Sequence, residues 1–211
     1  MVGLETQRAR MVRDQLAGAG ISDARVLDAF AVVPRERFVT AEHLADAYAD
    51  CALPIGYGQT ISQPFVVALA LQLLVLAGTE HALEVGAGSG YAAAVMSRLV
   101  RDLVAAERIP QLAARATRAL ADVGASNVRV LAADAGRGVA VYAPYDAILV
   151  SAAADTLPMR LYHELVDGGR MVAPIGRGSN QRLELVTKHR DGPRITESVA
   201  VRFVPLISDQ P

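Results

Sequence analysis

The chain contains one cysteine, Cys51, one lysine, Lys188, and almost no net charge, at −1 over 211 residues. A lone cysteine excludes an intrachain disulfide and with it a disulfide-stapled secreted scaffold. Arginine stands where lysine would, and alanine is abundant, which we read as genome composition rather than chemistry. The balanced charge gives no electrostatic ground for nucleic acid or a membrane surface as the main partner. Long apolar runs are missing too: Phe65 to Ala77 is too short for a bilayer span and contains Gln72. Met1 to Arg13 is charged rather than apolar, so no signal peptide is expected and the cytoplasm is the expected compartment. His43, His81, His163 and His189 are scattered, with no H-x-x-x-H or Cys–His spacing, so no metal is expected. With 52% hydrophobic residues, the length fits one well-buried core and one domain.

The richest segment is Leu83-Glu84-Val85-Gly86-Ala87-Gly88-Ser89-Gly90-Tyr91. An apolar run enters a glycine turn, and Tyr91 to Val100 follows with the alanine-rich spacing of a helix packed back on a sheet. Gly86 and Gly88 permit a tight turn and close approach of a ligand to the backbone. Gly90 is expected to let the helix start close against the strand. The G-x-G-x-G spacing differs from the dinucleotide fingerprint and from the phosphate loop. Glu84, near the end of the strand, instead fits a cofactor with a cationic end or exposed donors, such as S-adenosylmethionine. Glu107 closes the next apolar run about twenty residues on, where a carboxylate grips ribose hydroxyls. A plain strand-to-helix turn is the structural alternative for the loop.

Helices come first, then alternating strands and helices, then strands. Leu4 to Ala17 has helical periodicity and stops at Gly18 and Gly20; Ser22-Asp23 caps a second helix running to about Val32, ended by Pro34. A polar irregular segment, Arg35 to Asp50, precedes a helix over Phe65 to Ala77, begun by Pro64. Strands are expected at His81 to Val85, Leu103 to Glu107, Val128 to Ala132, Ala147 to Val150 and Arg170 to Ile175. Helices near Tyr91 to Val100, Pro110 to Val123 and Leu157 to Leu165 alternate with them. Leu183 to Thr187 and Thr196 to Val204 flank the turn Asp191-Gly192-Pro193 and make an antiparallel pair. The expected fold is therefore α/β and doubly wound, a Rossmann-like architecture with a mostly parallel sheet, an antiparallel C-terminal pair and N-terminal helices. It divides into a helical N-terminal part, 1–64, and a cofactor-binding core, 65–211.

Leu53-Pro54-Ile55-Gly56-Tyr57-Gly58-Gln59-Thr60-Ile61-Ser62-Gln63-Pro64 is similar to the signature segment of the protein-L-isoaspartate O-methyltransferases, S-adenosylmethionine-dependent repair-type enzymes. The resemblance spans nearly the whole chain. It extends to Pro34-Arg35-Glu36-Arg37-Phe38-Val39, Pro144-Tyr145-Asp146-Ala147-Ile148-Leu149-Val150 and Val201-Arg202-Phe203-Val204-Pro205-Leu206. It implies Ser62 at the active site, Thr60 and Ile61 in the cofactor pocket, Glu107 on the ribose, and Asp134 on the adenine amino group. Val204 and Pro205 border the substrate peptide. Taken alone, Ser62 reads as a helix cap before Pro64; the resemblance assigns it to catalysis. Around Asp134 the sequence is Ala133-Asp134-Ala135 where the family has Gly-Asp-Gly, so Gly136 or Gly138 is expected to supply the turn. Asp146 and Ser151 flank an apolar strand, and a place near the cofactor crevice or a structural hydrogen bond remain alternatives for them.

The implied reaction moves a methyl group to the free α-carboxylate of an L-isoaspartyl residue. The ester then closes to a succinimide whose hydrolysis restores part of the aspartate. A carboxylate is already deprotonated at neutral pH, so no general base is required. Alignment is the requirement, and it is worth roughly 7–11 kcal/mol in favourable cases. The expected partners are proteins or peptides containing L-isoaspartyl residues, and a monomer is expected. Two alternatives are a same-family enzyme dedicated to one peptide or protein, and a non-catalytic S-adenosylmethionine-binding protein. A dinucleotide oxidoreductase fits less well, because the glycine spacing is wrong.

Overall fold

In a computed structural model, which describes residues 3–207, the chain begins with α1 (Leu4–Arg10). The helix runs on through a wider turn at Met11–Leu16 and a tight one at Ala17–Ala19, then breaks at Gly20, whose φ is +104°. α2 (Ala24–Val32) starts at Asp23, whose carboxylate accepts from the backbone N–H groups of Arg25 and Val26 at 2.9 and 3.3 Å. Such a cap satisfies donors that a helix start leaves without partners. Val33 is extended ahead of Pro34, so the helix stops where expected.

The N-terminal part, 1–64, expected to be helical, also contains a hairpin, which lies after the segment Arg35 to Asp50 expected to be irregular. β1 (Leu53–Gly56) and β2 (Gln59–Ile61) pair antiparallel around Gly56-Tyr57-Gly58, all three at positive φ of 91°, 56° and 70°. Three consecutive left-handed residues reverse the chain tightly, and the outer two are glycines, which bear that conformation without penalty. α3 (Pro64–Leu73) begins on its proline but is shorter than its apolar run. Val75 at φ +48° turns the chain away and leaves Leu76 buried outside the helix.

The alternating block follows as β3 (His81–Val85), α4 (Tyr91–Met96), β4 (Asp102–Glu107), α5 (Pro110–Asp122), β5 (Val128–Ala132), β6 (Tyr145–Val150), α6 (Met159–His163), β7 (Leu165–Arg177), β8 (Asn180–His189) and β9 (Gly192–Val201). The sheet order is β5-β4-β3-β6-β7-β8-β9. β3 to β7 run parallel to one another, and β8 and β9 run antiparallel to their neighbours. The antiparallel part is larger than expected, since β7 itself pairs with β8 from Arg170 to Arg177. Residues 202–204 leave the strand and return beside β6: Ala153 N–H donates to Val204 at 2.8 Å and Leu206 N–H donates to Ala153 at 2.7 Å.

Apolar layers cover both faces of the sheet, as a doubly wound fold requires. One contains Phe30, Leu71, Tyr91 and Leu120 from the helices, packed on Leu103 and Leu149. The other packs Leu161 and Tyr162 of α6 against Leu83, Ile148 and Met171. In α5 the buried residues are Leu112, Ala113, Ala116, Ala119 and Leu120, the one-sided spacing of a helix lying on a sheet. The sheet order reverses at β3, which has β4 on one side and β6 on the other. A crevice opens beyond the carboxyl ends of the strands at such a point.

Candidate active site

Glu84 on β3, Glu107 at the end of β4 and Ser151 just past β6 meet at that crevice. After β3 the chain turns through Gly86, Gly88 and Gly90, with φ of 86°, 53° and 88°. Gly86 and Ala87 donate their N–H groups to Ala106 on β4 at 2.9 and 3.1 Å, which lays the loop across the strand ends. Gly90 serves a different contact from the one expected. A Cβ there would stand 3.1 Å from that of Ala116, so Gly90 lets α4 start against helix α5 rather than against a strand.

Glu107 fastens the loop. One oxygen accepts from Gly88 N–H at 2.8 Å and the other from Ile109 N–H at 2.9 Å. Each carboxylate oxygen accepts more than one hydrogen bond, so capacity remains for hydroxyl donors in the crevice. Over this loop lies the hairpin, with Ile55 against Gly88. Arg115 of α5 pins it there by donating to the carbonyls of Ile55 and Phe38, both at 3.1 Å.

Glu84 is fully buried and has one donor, the Ser151 hydroxyl, at 3.0 Å from Oε1. Among the described residues Oε2 has no hydrogen-bond partner. Burial pushes the carboxyl up to about 8; the Ser151 hydrogen bond opposes the rise and the charge of Glu107 adds to it. An orphaned acceptor of this kind costs folding energy, and such groups call for a functional account.

Three openings converge here. An outer cleft of about 620 Å³ is lined by Thr60, Gly86, Gly88, Glu107, Asp134, Val204 and Pro205. An inner one of about 310 Å³ is lined by Thr60, Ile61, Ser62 and Glu84. A broad cleft of about 920 Å³ lies between Ser62 and residues 200–204. Thr60 and Ser151 line all three. All the expected site residues except Gly90 therefore face one connected space. Asp134 caps the turn Ala135–Arg137 by accepting from Gly136 N–H at 3.0 Å. Gly138, at φ +85°, supplies the positive-φ position three residues after Ala135.

Ser62 is not used to start α3. Its N-terminal donor at Phe65 is satisfied by Asp50 at 3.1 Å, and Asp50 also accepts from the Gln63 side chain at 2.7 Å. The two open residues separate cleanly. Asp146 sits at the opposite end of β6, accepting from His81 N–H at 2.8 Å, a structural role, whereas Ser151 lies in the crevice. Gln59 and Arg202 also line it and were not expected there. The sequence signal for them is their place: Gln59 adjoins Thr60, Arg202 stands two residues before Val204, and both lie within the segments that resemble the family. Among the described residues no group of three or more His, Cys, Asp or Glu is placed to hold a metal ion.

The orphaned acid, the glycine loop and the second acid fit an adenosine cofactor with a cationic end, and the sheet order fits the same class. The fold and crevice together define an S-adenosylmethionine-dependent methyltransferase of the Rossmann-like kind. Residues 6–211 match the family described as Protein-L-isoaspartate(D-aspartate) O-methyltransferase (PCMT), and the chain belongs to that family. It is 50% identical over 203 residues to a protein-L-isoaspartate O-methyltransferase 2 of Anaeromyxobacter sp. (strain Fw109-5), covering 96% of this chain and 84% of that one. A solved protein-L-isoaspartate O-methyltransferase superposes with a TM-score of 0.82 at 30% identity, covering 94% of this chain and 65% of that one. A Plasmodium falciparum structure described as the same enzyme in complex with S-adenosyl-L-homocysteine shares the fold, with a TM-score of 0.83 at 23% identity over 99% of this chain and all of that one. Neither a non-catalytic binder nor an enzyme for one dedicated partner is favoured by these relatives.

Proposed function

We propose that the protein transfers the methyl group of S-adenosylmethionine to the free α-carboxylate of L-isoaspartyl residues in damaged proteins or peptides, the step that opens their repair through a succinimide. The observation that carries this is the meeting of the outer, inner and broad clefts at Thr60 and Ser151, with Ser62 on the wall that the inner and broad clefts share. The bound cofactor supplies a methyl group on a positively charged sulfur, an electrophile that needs no further activation. Glu107 receives the ribose hydroxyls while keeping its bonds to Gly88 and Ile109. Asp134 receives the adenine amino group, and Glu84 receives the cationic end.

Ser62 donates a hydrogen bond to the substrate carboxylate, orienting it without protonating it. Its hydroxyl is free for this because Asp50 caps α3. No base is needed, since the nucleophile is an anion at neutral pH. The work of the residues is alignment and exclusion of water. Val204 and Pro205 border the peptide; their segment is held by Gln181, which accepts from Phe203 N–H at 2.6 Å and donates to its carbonyl at 3.2 Å. An extended peptide laid along such main chain needs few side-chain contacts, as a broad repair substrate requires.

No helix of the described residues is long and apolar enough to cross a membrane. We place the protein in the cytoplasm with no nucleic-acid partner, which the exposed, unpaired Cys51 and the near-zero charge support, and we take it to act as a monomer. Labelled methyl transfer to a short L-isoaspartyl peptide, against its L-aspartyl twin, tests the activity. Transfer confined to the isoaspartyl peptide is expected. Cofactor binding without transfer to either would point back to a dedicated partner.

A further inference from the structure

The inner opening contains one feature the transfer reaction does not itself explain. Its wall includes the fully buried Glu84, and among the described residues its Oε2 has no partner and no lysine, arginine or histidine lines the opening. From β4, the acid facing Glu84 is Glu107, a like charge. From β6 the facing group is the neutral hydroxyl of Ser151, and from α4 the phenol of Tyr91, which burial pushes up to about 12. The hairpin contributes Thr60 and Ile61, α3 contributes Val67, and the loop contributes Ser89. An ionised carboxylate among these neighbours has one hydroxyl donor and no countercharge, which is an expensive state. A cation arriving in the opening reverses that balance.

We propose that Glu84 and Ser151 form a proton-linked receptor for the ammonium end of the cofactor. Glu84 is neutral before the cofactor enters and releases its proton to solvent as the ammonium takes up Oε2. Ser151 is a positioning residue that holds Oε1 and so leaves Oε2 facing the opening. The inference rests on the proposed use of Glu84 as the cofactor's cationic receiver and extends it to the proton and to Ser151. The Ser151 hydroxyl favours the ionised form, so it sets the pH at which capture becomes efficient. Since Ser151 also lines the broad cleft, the residue that orients the cofactor's receiver borders the peptide as well.

Isothermal titration with S-adenosylhomocysteine between pH 5.5 and 8, in two buffers of different ionisation heat, tests this. The second probe is 5′-methylthioadenosine, which has the adenosine and the sulfur but no ammonium. For S-adenosylhomocysteine, close to one proton is released at pH 7, and affinity rises about tenfold per pH unit before levelling off toward pH 8. Methylthioadenosine shows neither effect. Ser151→Ala weakens S-adenosylhomocysteine at pH 7 by about tenfold and moves the levelling-off to higher pH, while Ser151→Thr, which keeps the hydroxyl, restores both. A flat profile with no proton released overturns the inference and leaves the cofactor assignment standing. A uniform loss in Ser151→Ala at every pH, with the break unmoved, reduces Ser151 to a structural residue and overturns its part. Failure of both probes to bind at any pH overturns the cofactor assignment itself.

Discussion

Glu80 and Glu84 are both buried carboxylic acids, one at each end of β3, and they are treated oppositely. Glu80 accepts from the backbone N–H groups of Ala77, Gly78 and Thr79 at 2.7, 2.9 and 3.1 Å. Burial works against its charge, but these bonds prevail and hold it below the usual carboxylate range. Glu84 has a single hydroxyl donor, and burial prevails, pushing it up to about 8. The same contrast runs through the two ends of the sheet. At the amino ends, His81 is bound by Asp102 and by the carbonyl of Tyr142, its ring stacks on Tyr145 at 5.0 Å, and Asp146 accepts from its backbone N–H. At the carboxyl ends the backbone bends through positive φ, and acceptors are left for a ligand. Of the two buried acids of this strand, the satisfied Glu80 marks the end that holds the fold, and Glu84 with its unsatisfied oxygen marks the end that does chemistry.

The strongest challenge to this contrast is a carboxyl-end residue that serves folding, and Gly90 is one. Gly90→Ala places a Cβ at φ +88° and 3.1 Å from Ala116, adding backbone strain to overpacking. A loss of about 3 kcal/mol, lowering Tm by roughly 6–12 °C, is expected in thermal denaturation. Wild-type stability would show that the helices separate easily and that Gly90 serves the ligand after all.

Next in size is Ser62→Ala, which sharpens the contrast because nothing in the fold depends on that hydroxyl. Steady-state kinetics should show kcat lower by about 100-fold, the scale for losing one donor to a reacting oxygen, with Tm and cofactor affinity nearly unchanged. Equal losses in affinity and kcat would make Ser62 a cofactor residue.

At the amino end, Glu80→Gln leaves backbone donors facing an amide and should cost about 2 kcal/mol by chemical denaturation, without altering cofactor affinity. The same contrast extends to pH. With its folded pKa lowered, Glu80 contributes stability above its unfolded value, and that contribution is lost as pH falls through the folded value. Glu84 acts with the opposite sign. Protonated when folded and ionised when unfolded, it makes stability fall as pH rises from about 4.3 toward about 8. Tm of Glu84→Gln should therefore come closest to wild type near pH 4 and exceed it increasingly toward pH 8.

Much of this was legible in the sequence because the parallel strands are central and nearly continuous in apolar residues. β3 and β5 fall where their runs predict, and Asp23 and Pro64 mark helix starts through local chemistry alone. The β1–β2 hairpin was not legible: its strands are too short for periodicity, and a turn with tyrosine at positive φ gives no common hairpin signal. β7 was foreshortened because Gly168-Gly169 reads as a turn, whereas the strand passes through them. In the site, acids near strand ends could be seen from their spacing. That Glu84 has an oxygen left over could not, because its single donor, Ser151, is 67 positions away in sequence.

The most direct measurement is a paired one: Glu84→Gln and Glu80→Gln, each assayed for thermal stability and for S-adenosylhomocysteine affinity at pH 7.5. Glu84→Gln should bind at least tenfold more weakly with Tm at or above wild type, while Glu80→Gln should bind normally with a lowered Tm. If both variants lose stability and keep affinity, Glu84 is an acid of the fold like Glu80, and the distinction between the two ends of the sheet is wrong.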